Sequence, residues 1–362
     1  MAILHESLKE VVCKIVYHGA GKSGKTTSLM YMNHALPAAQ KGRFVSLETP
    51  TERTLFFDFL PVKAEARGWK FRYLLYATPG QEYYEASRRL VLKGADAIVF
   101  VVDSQRERYE DNYRAMELLD KDLMSLGQRL ENIPMVIAYN KRDLSSALPI
   151  EDLEKRYNQR HCLSMPCVAR TGQGVLEAFL TAAKMGLTRL SQQGAEARMG
   201  EMFKSMVMSA EDAEAVTTRL AQLNGRSGAL GSVLIDESTG VIGARGEIPA
   251  EDHESLGALL ACNFAAAQEL SVNLSARGFL GITQKGHRLA LRAVRVDNRR
   301  FVAMVLDRNS DPAKVKEAVT YCKGPLAAYM GQVDLMAAGR MSRLGELFSS
   351  VADLAVAGIT GS

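Results

Sequence analysis

The sequence predicts an α/β domain with a mostly parallel sheet over residues 1–190 and an α+β domain over residues 201–310, with a five-stranded antiparallel sheet and helices. Three observations indicate this fold class. Apolar strand patterns alternate with helical patterns through the first half. A small, polar segment typical of a linker follows at residues 191–200. The second half then has the order helix, two strands, helix, three strands, and a helical extension over residues 311–362.

The elements of the first half follow from apolar runs and their boundaries. Strands are predicted at residues 11–19, 71–76, 97–102, 134–139 and 166–169. Helices are predicted at residues 26–36, 84–92, 112–125, 150–159 and 175–184. Because ligands bind such sheets at the carboxyl ends of the strands, we expect the functional loops there.

The elements of the second half begin with a helix at residues 201–223. Strands are predicted at residues 229–235, 241–244, 279–284, 288–296 and 300–306. A long helix rich in small residues is predicted at residues 251–275. The C-terminal helix is expected to begin near Asp311-Pro312 and to break at Gly324-Pro325.

Composition is typical of a globular, reduced protein. Hydrophobic residues make up 47% of the chain and charged residues 24%, and the net charge is only +4. No run of like charges suggests a nucleic-acid partner. The five cysteines show no C-x-x-C spacing, which argues against a zinc site and for reduced thiols. No apolar run reaches membrane-spanning length, so we expect a cytoplasmic protein without direct membrane insertion.

A phosphate-binding loop follows the first predicted strand. Gly19-Ala20-Gly21-Lys22-Ser23-Gly24-Lys25-Thr26 satisfies G-x-x-x-x-G-K-[ST] between a strand and a helix. Glycines let backbone N–H groups converge on phosphate oxygens, and the helix N-terminus adds a favourable dipole. Lys25 is predicted to reach the β- and γ-phosphates and the Thr26 hydroxyl to bind Mg²⁺, with Thr27 beside them. Asp103 superficially resembles a Walker-B aspartate. Its strand, however, follows residues 78–81 along the chain, and this order of elements favours a loop-capping role.

A guanine-selecting motif follows the strand at residues 134–139. Asn140-Lys141-Arg142-Asp143 reads N-K-x-D, and a carboxylate at Asp143 can accept two hydrogen bonds that adenine cannot donate. Lys141 is expected to pack its stem over the base. Ala169 stands where Ras-like proteins place a base-contacting alanine. GTP or GDP is therefore the predicted ligand, and an ATP-using phosphotransferase that shares the phosphate loop is an alternative.

A switch motif lies between these two. Thr78-Pro79-Gly80-Gln81 resembles the D-x-x-G-Q segment of Ras-like GTPases. Gln81 would orient the attacking water, and the Gly80 N–H would sense the γ-phosphate. Ala77 occupies the position of the family's Mg²⁺-side aspartate. Asp58 is the candidate substitute, through a bridging water, and an ordinary surface carboxylate is the alternative interpretation.

The segment from Thr51 to Pro61, together with residues 78–81, resembles the MglA family of bacterial gliding-motility GTPases over about residues 8–190. The resemblance implies that Arg53 is an arginine finger supplied in cis. It also implies that Thr54 is the switch-I threonine that approaches Mg²⁺ and the γ-phosphate. A solvated loop charge is the alternative for Arg53.

The second half resembles the roadblock/dynein-light-chain fold, which is the fold of the MglB regulator. The likeness consists of the element order and short runs such as residues 231–236 and 241–243. It implies a domain that dimerises through its central helix and edge strand and docks on GTPase switches. A small-residue face of the long helix would permit close helix–helix approach, or would simply pack on its own sheet: Gly257, Ala258, Ala261 and Ala265.

The resulting hypothesis is a GTP-binding and GTP-hydrolysing switch fused to its roadblock regulator, acting within one chain or on another chain. By resemblance, its output would be cell polarity or gliding motility through GTP-dependent binding of effector proteins. The resemblance also implies a homodimer formed through the roadblock domain and recruitment to cell poles or membrane-associated complexes. A GTP-binding scaffold with negligible hydrolysis is the alternative.

Overall fold

The computed structural model describes residues 3–5, 10–48, 54–66, 68–80, 85–196, 206–237, 240–249, 252–273 and 280–334. These residues divide between two units. One consists of described residues within 12–196, and the other combines those within 3–11 and 197–334. None of the described helices has both the length and the apolar character that a membrane span requires.

The strands are numbered along the chain. They are β1 (Ile3–His5), β2 (Glu10–His18), β3 (Val45–Glu48), β4 (Thr54–Ala66), β5 (Trp69–Ala77), β6 (Ala97–Asp103), β7 (Met135–Asn140), β8 (Leu163–Pro166), β9 (Met206–Met208), β10 (Gly231–Asp236), β11 (Gly240–Gly246), β12 (Gly281–Lys285), β13 (Leu289–Arg295) and β14 (Arg300–Asp307). The helices are α1 (Lys25–Ala35), α2 (Glu85–Leu92), α3 (Tyr109–Ser125), α4 (Ile150–Tyr157), α5 (Val175–Glu196), α6 (Ala210–Ser227), α7 (His253–Asn273) and α8 (residues 312–334).

The sheet of the first unit has the strand order β3-β4-β5-β2-β6-β7-β8. The strands β2, β6, β7 and β8 pair in parallel, whereas β3, β4 and β5 pair antiparallel. Every residue of β6 and β7 is buried. Because successive side chains of a strand point to opposite faces, both faces of the sheet are covered there. The predicted α/β class with a mostly parallel sheet is confirmed.

The segment that resembles a switch loop is largely a strand. Residues Thr54–Asp58 belong to β4, where Asp58 pairs with Ala77 and Phe59 with Tyr76 of β5. The rings of Phe59 and Tyr76 are 4.7 Å apart between centroids. Cross-strand aromatic pairs of this kind stabilise antiparallel strands, and they depend on a partner that the local sequence does not show.

The predicted linker is helical in its first part. Helix α5 does not end near residue 184 but continues to Glu196, which lies within the polar segment 191–200. Residues 197–200 lie outside the described residues, and the domain boundaries stay a prediction.

The second unit contains the predicted five-stranded antiparallel sheet, in the order β11-β10-β14-β13-β12. Its core lies between this sheet and α7, where the rings of Phe264 and Phe301 stack at 4.9 Å. In the same unit β1 pairs in parallel with β9, with Ile3 opposite Met206. The α+β class of the second half is confirmed.

The first helix of the second unit begins later than the predicted position 201. Met206–Met208 forms β9, and α6 begins at Ala210. Ser209 and Asp212 form a capping box in which each side chain accepts a hydrogen bond from the other residue's N–H. Such a box satisfies two otherwise unpaired amides and fixes the helix start. Residues 201–205 lie outside the described residues.

The C-terminal helix α8 does not break at Gly324-Pro325 but runs continuously from residue 312 to 334. The side chains of Leu326 and Met330, which follow the proline, are buried. Burial of these side chains offsets the hydrogen bond that the proline removes. Residues 335–362 of the predicted extension lie outside the described part of the chain.

The small-residue face of α7 packs, where it is described, on its own sheet. A Cβ added at Gly257 would lie 2.7 Å from Val241 Cγ2, and Ala261 belongs to the core cluster. The alternative of packing within the unit therefore holds for these two positions. The side chain of Ala265 lies outside the described residues.

Candidate functional site

A cleft of about 1060 Å³ lies in the first unit, among loops that follow the strands of its sheet. The phosphate loop after β2 lines it, with Thr78 and Gly80 after β5. Asn140 at the end of β7, Lys141 and Asp143 after that strand, and residues 168–170 after β8 also line it. The cleft is in the size range of small-molecule sites. Lys25 and Asp143, which the two sequence motifs single out, therefore line one cavity.

The phosphate loop requires its glycines. Gly19 has φ 150°, and a Cβ there would lie 2.3 Å from Val101 O. Gly24 has φ 109°, and a Cβ there would lie 2.0 Å from Asn140 Nδ2. Gly24 also caps α1 and has no side chain to accept hydrogen bonds from the amides of the first turn. The helix N-terminus can therefore receive an anion.

Lys25 points back into the loop that precedes it. Its Nζ donates to Gly19 O and Ala20 O, both at 2.7 Å. Burial lowers the pKa of Lys25 to about 7. The negative charge of Asp58 opposes this shift, whereas the positive charge of Arg108 adds to it. An anion beside this ammonium would favour its charged form. The Lys25 ammonium and the phosphate loop around it therefore fit a phosphate group.

Thr26 and Asp58 meet at the end of the loop. Thr26 Oγ1 donates to Asp58 Oδ2, and Ser46 Oγ donates to Asp58 Oδ1 at 2.6 Å. Asp58 is fully buried, so it is not an ordinary surface carboxylate. It pairs across the strands with Ala77, where the Ras-like pattern has an aspartate. A hydroxyl and a carboxylate are ligands that suit Mg²⁺, which commonly takes its other ligands from phosphate and water.

The segment after β5 lies directly against the phosphate loop. A Cβ added at Gly80 would lie 2.5 Å from both Gly21 Cα and Gly21 N. Thr78 N donates to Tyr17 O at 2.9 Å, which anchors the start of the segment to β2. Gly80 therefore cannot move toward Gly21 unless the phosphate loop also shifts.

His18 was not singled out by the sequence, yet it holds this segment. Its Nε2 is 3.1 Å from Ala115 O, and its Nδ1 is 3.0 Å from Thr78 Oγ1. Burial, with the charges of Lys25 and Arg88, lowers the pKa of His18 to about 3. The ring is therefore neutral, with Nε2–H donating to Ala115 O and Nδ1 accepting from Thr78. A polar residue that ends an apolar strand immediately before Gly19 was the available signal.

Asn140 ties the two ends of the cleft together. Its Nδ2 donates to Ser23 O at 2.7 Å, and its Oδ1 accepts from Ala169 N at 2.8 Å. The residue is buried, so both bonds are shielded from water. Asn140 and Ala169 thus line the cleft, but the Asn140 side-chain amide and the Ala169 N–H already make hydrogen bonds within the protein. Asp143 is exposed in the cleft.

Asp103 serves its own loop, as expected, and also binds Lys141. Its Oδ1 accepts from Gln105 N at 3.2 Å, and its Oδ2 accepts from Lys141 Nζ at 2.6 Å. Asp103 is fully buried, whereas the Lys141 side chain is partly exposed. The Lys141 ammonium is therefore fixed on the protein while the residue lines the cleft.

The side chains of three predicted site residues lie outside the described part of the structure. Arg53 and Gln81 lie outside the described residues. Thr54 is the first residue of β4, where its backbone pairs with Glu48, and its side chain lies outside the described part. Thr27, by contrast, lines the cleft.

Among the solved structures that are similar to part of this chain, two MglB structures each align with about a third of it. Myxococcus xanthus MglB aligns with 35% of this chain and 96% of its own, at 20% identity and a TM-score of 0.33. The gliding protein MglB from Thermus thermophilus aligns with 36% of this chain and 99% of its own, at 24% identity and a TM-score of 0.33.

Sequence relatives match the first unit. The Ras family model matches residues 14–187. The mutual gliding-motility protein MglA of Myxococcus xanthus is 48% identical over 195 residues, which are 54% of this chain and 100% of that protein. ADP-ribosylation factor-like protein 2 of Arabidopsis thaliana is 29% identical over 177 residues, 47% of this chain and 85% of that protein. With a cleft that joins G-x-x-x-x-G-K-T to N-K-x-D and a relative covered over its whole length, the chain belongs to the Ras family of small GTPases, as an MglA-like member.

Proposed function

We propose that the chain is a GTP-binding and GTP-hydrolysing switch, with a GTPase domain over residues 1–190 fused to a roadblock-like regulatory domain over residues 201–310. The observation that carries this proposal is the shared cleft, which Lys25 lines from the phosphate loop and Asp143 from the N-K-x-D loop. A cationic cradle and a carboxylate in one cavity suit the triphosphate and the purine of a single nucleotide.

Several groups that line the cleft would each contact one part of the nucleotide. Lys25 and the amides at the start of α1 hold the β- and γ-phosphates, and the Asp143 carboxylate accepts from the guanine N1 and N2 groups. Thr26, Thr54 and Asp58 are the residues that would hold Mg²⁺. The bound ion would neutralise charge on the phosphate oxygens.

Hydrolysis requires an oriented water and compensation of developing charge. We assign the first role to Gln81 and the second to Arg53, which would act in cis. Gly80, in contact with the phosphate loop, would couple the γ-phosphate to the position of the segment after β5. Loss of the γ-phosphate would then release that segment.

The regulatory part of the proposal concerns the second unit. A roadblock-like domain in the same chain, or in a second copy, would act on the switch segments or hold effector proteins near them. The similarity to the mutual gliding-motility protein MglA of Myxococcus xanthus supports an output in gliding motility. We extend the proposal to cell polarity. Such a switch would work in the cytoplasm and be recruited to the cell poles by its partners.

Nucleotide identity is the first test. Purified protein is denatured, and the released nucleotide is identified by chromatography. We expect GDP or GTP. In competition, GTP should displace a bound fluorescent GDP far better than ATP, and Asp143→Asn should shift preference toward xanthine nucleotides. Better displacement by ATP would exclude the guanine assignment.

Hydrolysis is tested separately by single-turnover assays with excess protein. Arg53→Ala and Gln81→Leu should each slow the reaction while nucleotide affinity is retained. Asp58→Asn should weaken the dependence of nucleotide affinity on magnesium. If wild-type protein leaves GTP intact after prolonged incubation and neither variant changes this, the chain is a GTP-binding scaffold.

A further inference from the structure

The guanidinium of Arg108 lies beside the phosphate loop, although the two are far apart in sequence. Arg108 ends the short 3₁₀ turn Arg106–Arg108, immediately before α3. Its Nη2 donates to Gly21 O at 2.7 Å. The side chain is about two-thirds buried, and the residue lines the nucleotide cleft. No sequence motif indicates this contact.

Two carboxylates hold the guanidinium in place. Arg108 Nη1 is 2.6 Å from Asp111 Oδ2, and Arg108 Nε is 3.9 Å from Asp103 Oδ2. The same Asp103 oxygen accepts from Lys141 Nζ at 2.6 Å. A guanidinium fixed on several sides is a preorganised donor. A continuous polar chain thus connects the phosphate loop at Gly21 with Lys141 of the guanine motif.

The bond to Gly21 O determines the direction of a neighbouring amide. The peptide between Gly21 and Lys22 is planar and trans, as all described peptides are, so its carbonyl and its N–H point in opposite directions. With the carbonyl directed at Arg108, the Lys22 N–H is directed away from it.

This orientation has to be supported by the surroundings. Lys22 has φ 63°, which is unfavourable for a residue with a Cβ. Gly80 also packs on the backbone of Gly21. The charged hydrogen bond from Arg108 is therefore one of the contacts that keep a strained peptide in a single orientation.

We infer that Arg108 is a positioning residue of the nucleotide site, which presets the Lys22 N–H to donate to the anionic tail of a nucleoside diphosphate or triphosphate. This inference rests on the proposed nucleotide function. Because Arg108 acts through the loop that meets the β- and γ-phosphates, its loss should affect nucleotides that carry a β-phosphate and spare those that lack one.

The test compares full-length wild type and Arg108→Ala by displacement of fluorescent GDP with GTP, GDP and GMP. We expect affinity for GTP and GDP to fall about tenfold, equivalent to about 1.4 kcal/mol, and GMP affinity to stay within about twofold. Arg106→Ala is the matched control, since Arg106 is exposed in the same turn and carries the same charge. It should change none of the three affinities.

A conservative variant controls for the possibility that Arg108→Ala misfolds. Arg108→Lys keeps a donor that can reach Gly21 O but lacks the fork that also binds Asp111, so it should lose less GDP affinity than Arg108→Ala. Equal losses for GMP and GDP, an equal loss in Arg106→Ala, or no loss in either Arg108 variant would overturn the inference. Absence of GDP and GTP binding in the wild type would instead refute the proposed nucleotide function.

Discussion

The buried, neutral ring of His18 makes the stability of the first unit depend on pH. In the unfolded chain the imidazole has an ordinary pKa of 6.5, whereas burial lowers the folded-state pKa to about 3. Between these values the unfolded state binds a proton that the folded state excludes. Stability from this residue is therefore fully present above pH 6.5 and is lost as the pH falls toward 3.

The magnitude follows from the two pKa values. Between pH 7.5 and pH 5.0 the histidine alone should lower the free energy of unfolding by about 2 kcal/mol. His18→Gln removes the titrating group and retains an amide that can still donate toward Ala115 O. The variant loses the hydrogen bond at Thr78 and should be less stable at neutral pH, but its pH dependence should be smaller by that same amount.

The assay is urea unfolding followed by tryptophan fluorescence at both pH values. The chain has a single tryptophan, and Trp69 lies in β5, so the signal reports on the first unit. His34→Gln is the control, since His34 is an exposed histidine on α1 of the same unit. If wild type and His18→Gln lose the same free energy between pH 7.5 and 5.0, the reasoning about His18 is wrong.

Two further substitutions test the packing of the cleft. Asn140→Ala leaves the buried Ser23 carbonyl and Ala169 amide without their partner, and we expect the free energy of unfolding to fall by about 2–6 kcal/mol in the same fluorescence assay. A loss below about 1 kcal/mol would mean that water replaces these bonds. Gly80→Ala places a methyl group against the backbone of Gly21, where neither side can yield easily. It should lower GTP affinity at least tenfold in a displacement assay, and unchanged affinity would show that the two segments separate without cost.

The parts of the site that the sequence predicts belong to short motifs of consecutive residues. Gly19 and Gly24 of the phosphate loop have positive φ angles, which are a local property of a tight turn, and the strand and helix around the loop carry local apolar patterns. Asp143 belongs to a motif of four consecutive residues. Such features can be recognised without knowledge of which distant segments meet.

The features that the sequence does not predict depend on distant partners. Strand β4 is held by pairing with β5, and the sequence pattern alone predicts no strand over residues 54–66. Arg108 reaches Gly21 across 87 residues, and no periodicity marks that contact. The uninterrupted helix α8 was missed because Pro325 favours a break locally, while burial of Leu326 and Met330 favours continuation.

The pairing of β1 with β9 has a consequence for the order in which the chain is built. Ile3 meets Met206 of β9 only after all of the first unit has been synthesised. At about 5–20 residues per second, the ribosome takes about 10–40 s to cover that distance. During this interval the edge of β1 that later pairs with β9 lacks that partner, and the nascent GTPase domain has time to fold first. Strand β1 can therefore join β9 only after translation has passed Met208.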